Sequence, residues 1–143
     1  MIDRSAMEAT RVNADEFEHL VRSTAPGAER LPFRVTLLER GRAVLTLPFA
    51  PEHLRAGGSV SGPTLFMLAD TALYAAVLSE IGLSPLAVTT DMTIHFVKKA
   101  REEVVAEAML LRCGRSQAVG TVSLRTTEGV VAHATGTYAL PPR

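Results

Sequence analysis

A single charged side chain, Asp70, lies between Ala56 and Ser79, in the middle of a run of leucine, alanine, phenylalanine, methionine and valine. An isolated carboxylate in apolar surroundings costs several kcal/mol unless it is paired, hydrogen-bonded or neutralised. Helical spacing puts Phe66, Met67, Leu73 and Tyr74 on the same face, so no neighbouring turn supplies a cation. From local groups alone, Asp70 would accept hydrogen bonds from Tyr74 or from a backbone group across an interface.

Two basic groups stand in turns further on. Lys98, Lys99 and Arg101 follow a long alternating segment, and Arg112 with Gly114-Arg115-Ser116 occupies the next turn. Arginine and lysine on flexible loops suit phosphate, although each of these charges taken singly also fits an ordinary solvated turn. His95 and His133 fall on the polar faces of their segments. Neither has metal-ligand spacing with another histidine, cysteine or carboxylate cluster, so no metal is expected.

Periodicity supplies the elements that must hold these groups. Behind Asn13 as N-cap, Phe17, Leu20 and Val21 recur at helical spacing until Pro26-Gly27, which predicts a helix over about 13–24. Phe33, Val35 and Leu37, then Ala43, Leu45 and Leu47, alternate on either side of Arg40-Gly41-Arg42 and predict a hairpin. Pro48, Pro51 and Gly57-Gly58 mark a loop. Ser61-Gly62-Pro63 has the form of a helix start, with serine as cap and proline in the first turn, and the helix should run to about Glu80. It is apolar nearly all round, the mark of a helix enclosed by protein. Asp70, Thr71, Ser79 and Glu80 interrupt it, which leaves it short of the roughly 20 apolar residues of a spanning helix.

After the helix everything reads as strand. From Leu86 to Val97 the even positions are Leu, Val, Thr, Met, Ile and Phe, and the odd ones include Thr89, Asp91, Thr93 and His95, so the even face is expected in the core and the odd face wet. Val104 to Leu110, Ala118 to Leu124 and Val130 to Tyr138 alternate in the same way, joined at Cys113-Gly114-Arg115 and Glu128-Gly129. One long helix followed by four strands on tight turns predicts an antiparallel α+β sheet, because parallel pairing needs a crossover between strands. With no repeat, low-complexity tract or composition shift, residues 1–143 read as one domain with its core over about 32–140. The strand from Leu86 to Val97 would leave an unpaired, apolar edge unless a partner covers it.

Composition excludes several classes. Hydrophobic residues are 47% and charged residues 21% of the 143, the profile of a globular chain. Fifteen basic and fifteen acidic residues cancel, so no global field draws the chain to nucleic acid or an anionic membrane. The one cysteine, Cys113, cannot form an internal disulfide, and Met1 to Thr10 carries charges where a signal segment would be apolar; the cytoplasm is the expected location.

The stretch Gly58-Ser-Val-Ser-Gly-Pro-Thr-Leu-Phe-Met-Leu-Ala-Asp70-Thr-Ala resembles the signature of PaaI-like hotdog-fold acyl-CoA thioesterases. In that family a glycine-bearing turn opens the central helix and an aspartate follows about two turns later. Val88 to Phe96 resembles the family's long strand after the helix, and Gly129 to Tyr138 its last strand. The resemblance spans roughly Phe33 to Tyr138 and implies an antiparallel sheet wrapped around the helix, in a homodimer or homotetramer with active sites at the subunit interface.

It further implies that Asp70 is the general base or nucleophile and that the Gly62 amide polarises the thioester carbonyl. Ser61 and Thr89 are weaker candidates, Thr89 standing where some relatives place a serine that assists the aspartate. Lys98, Lys99 and Arg101, or Gly114, Arg115 and Ser116, would hold the phosphates of coenzyme A, which is part of the substrate and not a separate cofactor. Two departures stand out: Ser61-Gly62-Pro63 replaces the usual His-Gly-Gly, and Arg55 replaces an asparagine. They keep open a non-catalytic acyl-CoA or acyl-ligand binder. An acyl-thioester hydratase or dehydratase, which generally uses a histidine at this helix, fits less well.

Overall fold

A computed structural model describes residues 9–142; most of the charged N-terminal segment, Met1 to Glu8, lies outside the described residues. Helix α1, Ala14–Thr24, opens with the foreseen Asn13 as a capping box: its side chain accepts from the Glu16 amide while the Glu16 carboxylate takes the Asn13 amide. Strands β1, Arg34–Glu39, and β2, Arg42–Leu47, form the expected hairpin. Helix α2 covers Gly62–Ile81 and is followed by β3, Val88–Phe96, β4, Val104–Cys113, β5, Gln117–Thr126, and β6, Gly129–Ala139. Single 3-10 turns at Ala28–Arg30 and Pro51–His53 fill loops in which no helix was expected.

The six strands make one antiparallel sheet in the order β1-β2-β4-β5-β6-β3, packed around α2. By length and a mean hydropathy of 1.4, α2 could also cross a membrane. Here that apolar character is met by the sheet: eleven of its twenty residues are buried, and Leu68, Leu73 and Leu78 are fully so. Each such leucine contributes about 1.5–3 kcal/mol of burial.

The sheet comes unusually close to α2 at one point. Gly120 on β5 and Gly136 on β6 are directly opposite each other, and Cβ atoms there would stand 2.7 and 2.8 Å from the two methyl groups of Leu73. The pair forms a seat for Leu73, one turn beyond Asp70, and so sets the height of Asp70 above the sheet.

Strand β3 departs from simple alternation. A register shift between Thr89 and Asp91 inserts a bulge, which swaps the faces midway along the strand. Before it Ala87 is buried and Thr89 is half-buried, whereas Leu86 and Val88 are exposed; beyond it Met92 and Ile94 pack on the core. Leu86, Val88 and Phe96 were expected in the core and are instead exposed, and Thr89, expected on the wet face, is turned inward. Since β6 covers only one side of β3, its other edge is unpaired within the chain.

Candidate active site

Asp70 is half-buried midway along α2. The Thr89 hydroxyl donates to Oδ1 at 2.7 Å, and the Tyr138 hydroxyl donates to the same oxygen at 2.7 Å while reaching the Asp70 carbonyl at 3.2 Å. The bulge in β3 is what brings Thr89 to Asp70. Oδ2 has no hydrogen-bond partner among the described residues, and it is not sealed from solvent. The carboxylate therefore has one pinned oxygen and one free oxygen. Tyr74, the donor expected from helical spacing, sends its hydroxyl to the Ser84 carbonyl at 3.0 Å instead.

Tyr138 is buried, and its ring stacks on Tyr74 with centroids 5.6 Å apart. Phe17 of α1 packs edge-on against Tyr74 at 5.6 Å and meets Phe33 at 6.1 Å, so an aromatic column backs Tyr138. Burial, and next the charge of Asp70, push the Tyr138 hydroxyl well above the usual phenol range. It stays protonated and serves Asp70 as a donor.

The start of α2 forms a second centre. Ser61 is its N-cap: Oγ accepts from the Thr64 amide at 3.3 Å and pairs with the Thr64 hydroxyl at 2.8 Å. Pro63 has no amide hydrogen. The Gly62 N–H, with no acceptor among the described residues, is left at the helix end where the partial positive charge gathers. Gly62 lines a cleft of about 400 Å³ with Arg55, Leu65, Phe96, Lys98 and Lys99. A Cβ at Gly62 would meet the Phe96 ring at 3.2 Å.

Eight residues separate Gly62 from Asp70, about 12 Å along a helix axis. One carbonyl cannot meet both within one chain. The basic groups divide in the same way. Lys98 and Lys99 border the Gly62 cleft, Lys98 donating to the Glu128 carbonyl at 3.2 Å, and Arg101 donates to the Gly57 carbonyl at 3.1 Å. The turn with exposed Arg115 and Ser116 is closed by Gly114 N–H donating to the Gln117 carbonyl at 2.8 Å, and sheet register puts it at the Val88–Thr89 end, away from Phe96.

His95 and His133, separate in sequence, are opposed across β3 and β6 on the exposed face. No group of three or more metal-binding side chains occurs among the described residues. Sequence reasoning passed over His53, whose Nε2 donates to the Arg30 carbonyl at 2.7 Å and whose own carbonyl takes the Ser61 amide at 2.9 Å, bracing the cap. It also passed over Tyr138 as a partner of Asp70. A tyrosine at the end of a strand carries no local signal of what it will face.

The family model described as the thioesterase superfamily matches residues 57–133, more than half of the chain. A candidate thioesterase from a Silicibacter species is 35% identical over 93% of this chain and 94% of its own, with a TM-score of 0.81. The Escherichia coli PaaI protein, from the phenylacetic acid degradation operon, is 26% identical over 90% of this chain and 93% of its own, at 0.78. Zebrafish thioesterase superfamily member 2 shares the fold at 0.80, with 23% identity over 91% of this chain and 99% of its own. No curated protein matches the chain. The α+β hotdog architecture is thus that of the sequence resemblance.

Proposed function

The chain belongs to the thioesterase superfamily, and from that premise we propose that it hydrolyses an acyl-CoA to a carboxylic acid and free coenzyme A, with Asp70 directing the attack. The observation that carries this reading is the carboxylate itself, held through Oδ1 by Thr89 and Tyr138 with Oδ2 left free. As general base, Oδ2 takes a proton from water, whose oxygen adds to the thioester carbonyl. The oxyanion that develops is met by a helix-end amide at Gly62, and collapse breaks the C–S bond, with the thiolate taking up a proton. As nucleophile, Oδ2 would add to the carbonyl directly and water would release the acid from the resulting anhydride.

Edge-strand geometry supports a site shared by two copies. If β3 pairs antiparallel with a second β3 about its middle, the Thr89 end of one copy lies beside the Phe96 end of the other. Asp70, bonded to Thr89, then approaches the second copy's Gly62, which packs on Phe96. The same operation brings the Lys98–Arg101 group of one chain toward the Gly114–Ser116 turn of the other, where either could meet a CoA phosphate. Exposed Leu86, Val88, Phe96 and Val97 would be covered.

The test is Asp70→Asn, which keeps shape and removes the base. With thiol release followed over short-chain, medium-chain and aryl acyl-CoAs, kcat is expected to fall by about 10² to 10⁴ with an unchanged melting temperature. Wild-type turnover in the variant would sink the catalytic role. Binding of acyl-CoA by the native protein without thiol release would favour the ligand-binding alternative, which the Arg55 and Pro63 departures keep in view.

A further inference from the structure

We propose that Tyr138 is a positioning residue for the Asp70 carboxylate, fixing Oδ1 together with Thr89 so that Oδ2 alone is presented for reaction. The inference rests on the reading of Asp70 as the group that directs hydrolysis. Two geometric observations carry it.

The first is convergence. Two hydroxyls, from β3 and from β6, reach the same oxygen at 2.7 Å, and neither goes to Oδ2. A carboxylate that needed only to be satisfied in a half-buried setting would be served as well by one donor on each oxygen. Two donors on one oxygen stop rotation about the Cβ–Cγ bond and leave the other oxygen with its lone pairs in a fixed direction.

The second is rigidity. Tyr138 is 3% exposed, its hydroxyl also touches the Asp70 carbonyl at 3.2 Å, and its ring is held against Tyr74 with planes 7° apart. Tyr74 is in turn tied to Ser84 and backed by Phe17 of α1. A donor held by packing loses little entropy when it bonds, so it holds its acceptor more firmly than a surface side chain would.

Protonation agrees with both: a phenol is already protonated at neutral pH, and burial and Asp70 push the Tyr138 hydroxyl further up, so it serves only as a donor. The side-chain donors to the carboxylate are Thr89 from β3 and Tyr138 from β6, while the Tyr74 hydroxyl goes to Ser84.

The experiment uses the full chain as Tyr138→Phe, Thr89→Val and the double variant, with Asp70→Asn alongside. Tyr138→Phe keeps the ring stack and deletes only the hydroxyl. Its kcat is expected to fall about tenfold with KM little changed, since the lost bond acts on the reacting group and not on substrate binding. The double variant is expected to lose more than the product of the two single losses, because in each single variant the remaining donor still holds Oδ1. Native kcat in a folded Tyr138→Phe, or a rise in KM with kcat unchanged, would overturn the proposal while leaving an inactive Asp70→Asn to uphold the reading beneath it. A fully active Asp70→Asn would overturn both.

Discussion

Asp70 could be singled out from the sequence because its cost is local: one charge among apolar neighbours needs an explanation wherever the helix packs. Its partners could not be found in the same way. Thr89 was a candidate only by resemblance, since alternation assigned it to the solvent face, and the bulge that turns it inward has no residue signature. Tyr138 lies 68 residues away and meets Asp70 only through the sheet. Gly62 was legible as a helix start, and the structure adds the reason its amide is free: Ser61 caps Thr64, and Pro63 offers no hydrogen. That isolation makes a clean test possible. Ser61 already has the extended backbone, φ −68° and ψ 151°, that a following proline requires, and the first helical turn accepts proline. Gly62→Pro deletes the one donor, while its ring crowds Phe96 and its position before Pro63 strains the first turn, so the fold is read beside the activity. If the amide receives the oxyanion, kcat is expected to drop by about 10² to 10³. Circular dichroism and thiol release on the same sample check it, and an unchanged kcat in a folded variant excludes the role.

At the scale of elements, the sequence pattern located every strand and both long helices to within a few residues, because most of the strands and α1 bury a regular face and α2 is apolar all round; only β3, with its bulge, does neither. The order of the strands was not legible: β3 follows α2 in sequence yet pairs with β6, a choice made by the way the sheet closes on the helix. Nor did isolated glycines announce that Gly120 and Gly136 would meet under Leu73. Gly120→Ala would put a methyl group 2.7 Å from the Met109 carbonyl oxygen as well as from Leu73, and backbone cannot yield as a side chain can. A loss of about 1–3 kcal/mol in urea unfolding is expected. The middle of the sheet also carries a charge cluster. Glu107 on β4 takes Arg42 of β2 at 2.7 Å and Arg125 of β5 at 3.2 Å. Arg42, and after it Arg125, hold the Glu107 carboxyl below the usual glutamate range against the opposing effect of burial. A depressed folded value means that the ionised pair stabilises the fold above the unfolded glutamate pKa, and that this contribution is lost as pH falls through the folded value. Because both arginines are more than a third exposed, Glu107→Gln is expected to cost only about 0.5–1 kcal/mol at pH 7. The difference between native and variant stability should shrink to nothing as unfolding is repeated at progressively more acid pH.

For the whole molecule, the question is whether one chain holds a complete site. Asp70 and Gly62 are fixed about 12 Å apart on one rigid helix, and nothing in the fold can shorten that distance. Either only one of them takes part in chemistry or two copies combine them. The unpaired edge of β3 and its exposed apolar side chains both favour combination. A dimeric or larger mass in light scattering at micromolar concentration is then expected, but mass alone does not show a shared site. Complementation does. Asp70→Asn and Gly62→Pro are each expected to be inactive, the first lacking its base at both sites and the second its amide donor at both. In a two-fold mixed dimer, one site combines the two defects and the other receives a native Asp70 from one chain and a native Gly62 from the other. Equal mixing under subunit exchange makes about half the dimers mixed, each with one intact site, so activity should recover to about a quarter of the native value. If each chain instead carried its own site, every site in every mixture would retain one defect. The mixture would then be no more active than its components, and recovery on mixing separates the two arrangements.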